Sequence, residues 1–353
     1  MFVQRYILLC FLLKLWSYRE EHELELTKLT DEQRKLLISK RVRSRNTSEI
    51  IRTERHPGEN AFPLSFGQRR LWFEYRLKPD SVEYNVPIAY RINSFFDRKA
   101  CESALTALVE RHEVLRTFFR EDDGEPIQVV RQHAEAYLEW KKFASDDESE
   151  IIPELRKFTN IPFDLENGPL FKTIVLEISD TCHYLAFVSH HSIVDALSLD
   201  ILNKDFSKLY VEMIGGVKAD LDPLTIQYGD YAAWQKEKIN KAGAQVDYWV
   251  EKLDHKTPDI LLPFDFQRPD IRKGTGKNYK FSLSEEMSNR IKNAAKQADC
   301  TLFMYLLAAY QILLYLYSRQ DRITVGTTVS VRPTVETEPL IGSLLIILFI
   351  ILR

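Results

Sequence analysis

Two adjacent histidines, followed at a fixed distance by an aspartate, are the residues of this chain whose types and spacing suit chemistry. His190 and His191 close an alternating apolar run, Asp195 stands four residues after the second, and a helical pattern opens at Ala196. With eight histidines in the sequence, random order gives only ~0.2 adjacent pairs. A strand-to-helix turn is where a rigid scaffold commonly presents reactive side chains. An imidazole placed there has a neutral form near pH 7 and can act as a general base or orient an amine or alcohol. Asp195 is suited to fixing the turn by pairing with a cation, as an organiser rather than a proton carrier. The same three residues also fit a plainer arrangement, two hydrogen-bonded core histidines at a strand end, because a short motif is only a hypothesis. A zinc site needs a third ligand and usually histidines at helical spacing, and neither accompanies this pair.

The elements around the pair alternate between strands and helices. Ser65–Tyr75 reads as a helix, Tyr84–Ile92 as a strand with an early proline, and Arg98–His112 as an amphipathic helix with Ala104, Leu105, Leu108 and Val109 on one face. Leu115–Arg120 and Pro126–Val130 form a hairpin pattern around Asp122-Asp123-Gly124. Phe171–Ile178 and Tyr184–Ser189 form a second hairpin, whose outgoing strand delivers the histidines. Ala196–Met213 is a helix ending before Gly215-Gly216. A polar helix over Tyr228–Trp249 and a connector over Leu262–Pro269 follow. Helices over Ser284–Ala298 and Thr301–Ser318, each opening on a hydroxyl cap, precede a strand over Arg322–Val331. This order predicts an α/β fold, mixed sheets covered by helices, in two units divided near residue 240.

Length and composition agree. The 353 residues are 45% hydrophobic and 28% charged, ordinary for a globular chain of roughly two compact units. Forty-eight basic and 51 acidic side chains leave a net charge of −3, which excludes a strongly cationic nucleic-acid binder. Cys10, Cys101, Cys182 and Cys300 make no metal-like pair and no disulfide framework, so reduced thiols and a cytoplasmic location are expected. Tyr6–Leu13 is apolar but far too short to span a bilayer and lacks a small-residue cleavage site. Leu29–Lys40 reads as a short helix capped at Thr30, and Arg41–Asn60 as a polar linker, with the globular body starting near Phe62. Leu344–Leu352 is nine unbroken apolar residues. It is too short for a tail anchor and is expected to be a strand buried on both faces, provided that something covers it. No membrane partner is expected.

Five motifs stand in order: PLSFGQRRLWF at Pro63–Phe73, RHEVLRTFF at Arg111–Phe119, HHSIVDALS at His190–Ser198, YGDYAAWQ at Tyr228–Gln235, and GTTVSVRPTVETEPLIG at Gly326–Gly342. Their order and spacing resemble the successive core motifs of the condensation domain of nonribosomal peptide synthetases, from about Phe62 to Gly342. The form of the first motif resembles the subtype that joins two L-configured residues, and the intact second motif argues against an epimerisation domain. The resemblance implies the chloramphenicol-acetyltransferase-like fold of two lobes with a tunnel between them: residues 61–240 as the first lobe, 241–353 as an incomplete second lobe, and 1–60 as a leading helical and linker region. Phe11–Arg41 faintly resembles a docking element, and an ordinary helix plus linker is the preferred reading.

It also implies a reaction. A donor acyl group on one carrier's phosphopantetheine arm meets an acceptor aminoacyl group on another, and an amide forms. No cofactor is expected to be bound by the domain itself. The expected partners are upstream and downstream peptidyl carrier domains and the adenylation domain of the same synthetase. Carried over residue by residue, His191 is the active histidine, His190 supports the turn, and Asp195 makes a structural ion pair with Arg332 as first choice or Arg116 as second. Trp72, Arg69 and Trp234 belong to the motifs and are expected to pack or hold loops.

Two departures bear on activity. The family motif has glycine after the aspartate, where this chain has Ala196; a methyl group there strains the turn if φ is positive and is harmless if the position simply begins the helix. The family motif also continues beyond Ile341-Gly342 with an aromatic and polar strand, where this chain turns apolar, so the chain reads as a fragment or wrongly ended product of a larger synthetase. The alternatives to a condensing enzyme are a catalytically inactive carrier-binding scaffold and a free-standing acyltransferase using coenzyme A thioesters.

Overall fold

The computed structural model describes residues 50–240, 243, 247, 248, 250, 251, 259–266 and 279–352. The apolar run at Tyr6–Leu13, the helix expected over Leu29–Lys40, the docking element at Phe11–Arg41, the start of the polar tract from Arg41, Trp249 and the end of the Leu262–Pro269 connector lie outside the described residues.

Two compact units are present: Glu49–Tyr248 with Thr328–Leu348, and Trp249–Thr327 with Phe349–Arg353. The division therefore differs from a single cut near residue 240, because the segment carrying Arg332 returns to the unit that holds the histidines.

In the larger unit, β1 (Asn60–Pro63) leads into α1 (Phe66–Leu77). Ser65 starts that helix through a capping box with Gln68: the serine hydroxyl accepts the Gln68 N–H, and the Gln68 side chain accepts the Ser65 N–H. β2 (Asn85–Ile92) and α2 (Arg98–Arg111) follow. Ala104, Leu105, Leu108 and Val109 are all buried, as the 3.6-residue period predicts. A short 3-10 turn over Glu113–Arg116 displaces the expected strand start to β3 (Thr117–Asp122), which pairs with β4 (Glu125–Val130). Asp123 and Gly124 both take positive φ, 50° and 80°, the geometry of a tight two-residue hairpin.

β5 (Tyr137–Lys142) and α3 (Glu148–Thr159) are followed by β6 (Phe171–Ser179) and β7 (Cys182–His190). The histidine-bearing sheet has the order β2-β7-β6-β5. β7 runs antiparallel to both neighbours, with Asn85 opposite His190 and Phe171 opposite Ser189, and β5 is parallel to β6 through the α3 crossover. A second sheet has the order β1-β4-β3.

α4 (Ala196–Gly215) leaves the end of β7 and packs against α2. Phe187 of β7 meets Phe206 of α4 edge-on, ring centroids 5.1 Å apart, so the strand and the helix that flank the histidine turn share one core. Gly216 ends α4 at φ 65°, a left-handed cap that glycine adopts at no steric cost. α5 (Tyr228–Asn240) follows.

The other unit contains α6 (Glu285–Gln297) and α7 (Leu302–Ser318), capped by Ser284 and Thr301 as expected. β8 (Ile323–Ser330) pairs with β9 (Leu345–Leu352), so the apolar run after Ser343 is a strand. Among the described residues no single helix is long and apolar enough to cross a membrane; α6 and α7 reach the length only as a pair bent by 101°.

Candidate active site

The hydrogen-bond ladder of β7 places His190 and His191 where the strand ends. The His190 N–H donates to Leu170 O at 2.9 Å and the His191 N–H to Tyr84 O at 2.9 Å. The chain then turns tightly, with the Ile193 N–H returning to His190 O at 3.0 Å, and Ile193 and Val194 fill the core. A rigid strand end and a buried turn thus fix both imidazoles from either side.

The two rings have different surroundings. His190 is buried between Tyr84 and Phe163, ring centroids 6.2 and 6.0 Å away. Its Nδ1 faces the Ser192 hydroxyl at 2.8 Å and receives the Ser192 backbone N–H at 3.2 Å. A backbone N–H can only donate, so Nδ1 carries the lone pair and the ring proton sits on Nε2. Burial, reinforced by neighbouring His191, pulls the His190 pKa down to about 3. His190 is therefore neutral at physiological pH and supports the turn. His191 is half-buried, and its Nδ1 is buried with no hydrogen-bond partner among the described residues. Nδ1 itself is sealed from solvent, so a reacting group can meet only the exposed part of this half-buried ring.

Asp195 is 2% exposed and is the N-cap of α4. Its Oδ1 accepts from the Ser198 N–H at 2.8 Å, the Ser198 hydroxyl at 2.6 Å and Arg332 Nη2 at 3.2 Å. Its Oδ2 accepts from the Ser330 hydroxyl and the Leu344 N–H, both at 3.3 Å. Five donors saturate the carboxylate, and none of them is an imidazole. The carboxylate is an anchor, with no lone pair left for moving protons.

Of the two arginines expected to partner it, Arg332 does so, with side chains 6% and 1% exposed. Arg332 also donates from Nη1 to Thr337 O and Leu340 O, both at 2.7 Å, and so shapes the turn that follows β8. Arg116 does not approach the site. Its guanidinium donates to Arg131 O at 2.8 Å and to Val109 O and Glu110 O at 2.7 and 2.8 Å, satisfying carbonyls left open at the end of α2. Arg116, the second choice, sits at a helix terminus with free acceptors nearby, which claim its donors.

Ala196 is exposed and is the first helical residue after the cap, outside the positive-φ positions. A methyl group there meets no strain. Trp72 packs in the core and Trp234 packs partly against it, whereas Arg69 is an exposed partner of Glu125.

Ser198, Ser330, Tyr228 and Ser343 were not assigned roles from sequence, yet they complete the surroundings of Asp195. One signal was readable: Asp195 before the helical pattern is a favoured N-cap, which sets Ser198 at the third helical position beside its carboxylate. Ser330 and Ser343 lie more than 130 positions from Asp195 and gave none.

The condensation-domain family matches residues 58–350. The chain belongs to the condensation-domain family. A linear gramicidin synthase of Brevibacillus parabrevis is 38% identical over 290 residues, 80% of this chain and 6% of that protein. Among solved structures, the X-domain in complex with OxyB from teicoplanin biosynthesis aligns with a TM-score of 0.78 at 23% identity, covering 87% of this chain and 68% of that one. A holo four-domain nonribosomal peptide synthetase bound to AMP and glycine aligns with a TM-score of 0.75 at 22% identity, covering 87% and 23%. The fold is thus that of condensation domains, an α/β architecture of mixed sheets and covering helices. The chain spans only a small part of the synthetases it matches.

Proposed function

We propose that this chain is the amide-forming part of a nonribosomal peptide synthetase, joining a donor acyl or peptidyl thioester to an acceptor aminoacyl amine. Both substrates are taken to ride on phosphopantetheine arms of upstream and downstream carrier domains, with an adenylation domain of the same synthetase loading them. Both residues joined are taken to be L-configured, in keeping with the first motif. The observation that carries the reading is a half-buried His191 fixed at the strand end with a saturated Asp195–Arg332 anchor four residues on.

In the reaction the acceptor nitrogen attacks the thioester carbonyl carbon. A C–N bond forms, the C–S bond breaks, the amine proton passes to the His191 imidazole and the leaving thiolate takes up a proton. A thioester is already activated, so holding two tethered substrates in line supplies much of the acceleration, and the imidazole adds about 10²–10⁴-fold. Neutral His190 behind it repels a positive charge on His191 less than a second imidazolium would. Ala196 starts a helix with ordinary geometry, which removes the strain that favoured an inactive scaffold.

The test is product formation between loaded carriers, with His191→Ala beside the parent chain. Loss of about 10²-fold or more in amide yield supports the reading; an unchanged yield refutes it. Coenzyme A thioesters in place of the donor carrier form the control, and equal turnover with them points to a free-standing acyltransferase.

A further inference from the structure

Residues Leu340–Leu344 are joined to the Asp195 turn by hydrogen bonds as well as through the ion pair of Arg332. Ser198 is fully buried. Its hydroxyl lies 2.6 Å from Asp195 Oδ1 and 2.8 Å from Gly342 O, and it accepts the Gly342 N–H at 3.0 Å and Arg332 Nη2 at 3.4 Å. It has one hydrogen to give, and the charged carboxylate is the stronger acceptor. At the next residue, Tyr228 donates its hydroxyl to Ser343 O at 2.9 Å while sharing a 2.8 Å bond with Ser65 Oγ, the cap of α1. The Tyr228 ring fills the space that a side chain at residue 342 would need: a Cβ there would lie 2.0 Å from Tyr228 Cδ2. Leu344 closes the set, its N–H reaching Asp195 Oδ2.

We propose that Ser198 and Tyr228 are positioning residues, a two-point clasp that fastens residues 340–344 to the Asp195 turn and so holds the His190–His191 turn in its working geometry. The catalytic consequence rests on the function proposed above; the clasp itself does not. Ser198 couples the backbone of Gly342 to the same carboxylate oxygen that receives Arg332. Removing its hydroxyl leaves the Gly342 N–H without an acceptor and Asp195 one donor short, with the ion pair still in place. Removing the Tyr228 hydroxyl strips Ser343 O and Ser65 Oγ of a partner while the ring still occupies the space beside Gly342.

Amide hydrogen exchange on the full chain reads this directly. In Ser198→Ala, Gly342 and Leu344 are expected to exchange about tenfold faster or more, while Phe187 and Val188 in β7 keep their rates. Tyr228→Phe, which preserves volume, is expected to show the same local pattern. With loaded carriers, both variants are expected to lose kcat by about tenfold with KM changed less than about twofold, the signature of a misplaced catalytic group. Unchanged exchange at Gly342 and Leu344, or an equal increase in β7, overturns the clasp. If the parent chain itself forms no amide, the functional reading fails, and the exchange pattern still decides the clasp.

Discussion

Burial holds His190 without charge, and the direction of that effect fixes how acid acts on the protein. The group has an ordinary pKa of 6.5 and a folded value of about 3, so the unfolded chain binds the proton more readily between those two values. The stabilisation from keeping His190 neutral is complete above pH 6.5, shrinks as pH falls and is gone near pH 3. Two pH units below 6.5, the loss attributable to this one ring is ~3 kcal/mol. Urea unfolding at pH 7 and at pH 4.5 tests it: His190→Asn is expected to lose less stability between the two conditions than the parent chain by about that amount, and an equal loss would contradict the assignment. His112 has the same sign, lowered by burial against the pull of Asp205, which is why the comparison must be made between variant and parent rather than on the parent alone. The Asp195–Arg332 pair answers to a different test. Removing one partner strands a buried charge, at a cost of about 3–5 kcal/mol. Asp195→Asn and Arg332→Leu are each expected to fall in that range, and the double variant to lose clearly less than their sum. Additive losses in a double-mutant cycle would mean that the 3.2 Å contact carries no coupling. Sequence alone identified the aspartate and this arginine, because motif order constrains which residue types meet. It ranked Arg332 above Arg116 and kept both, since excluding Arg116 depends on where free carbonyls lie in three dimensions.

At the scale of elements, what was legible followed from local physics. Ser284 and Thr301 cap helices where the sequence places them, because a hydroxyl followed by an apolar period satisfies open N–H groups by itself. β5, β1 and α3 carried weaker signals. β5 is an edge strand ending in Lys141-Lys142, and it exists through its parallel pairing with β6. β1 is four residues long and ends in a proline. α3 contains Pro153 within its span, which breaks the helical reading at the level of sequence. The two positions next to the anchor illustrate how glycine and alanine divide. Ala196→Gly is expected to leave amide yield within about twofold, as a helix-start residue has no need of glycine's freedom; a large gain would show that the methyl group hinders the turn. Gly342→Ala is expected to cost about 1–3 kcal/mol by overpacking against Tyr228, visible as a lower Tm in thermal unfolding. An unchanged Tm would mean that the ring can move aside.

Across the whole molecule, segments far apart in sequence are drawn together by charges that the linear reading treated as solvated. The tract Arg41–Asn60, expected to be a linker, is part of the larger unit from Ile50 onward: Ile50 is 3% exposed, and the Thr53 N–H donates to Asp230 Oδ1 at 2.9 Å. Arg55 joins Glu113, after α2, to Asp230, at the start of α5, at 2.8 and 2.9 Å. Asp230 also accepts the Gln227 N–H at 2.8 Å, so the site of the ion pair is also where α5 begins. Composition could not reveal this, because a polar, arginine-rich stretch looks the same whether its charges face water or reach a buried carboxylate. The Asp230 side chain is fully buried, whereas that of Arg55 is 18% exposed, and the partial exposure moderates the cost of losing the arginine. Arg55→Met is expected to destabilise the chain by about 2 kcal/mol, below the range for a fully buried pair. A chain shortened to begin at Ala61 is expected to lose at least as much, since Ile50 and the Thr53 contact go with it. Chemical unfolding of the two variants beside the parent decides between a docked segment and a tether: equal midpoints for all three would make residues 50–60 the plain linker that their composition suggests, and a larger loss in the shortened chain than in Arg55→Met would show that the whole segment, and not one guanidinium, closes that side of the unit.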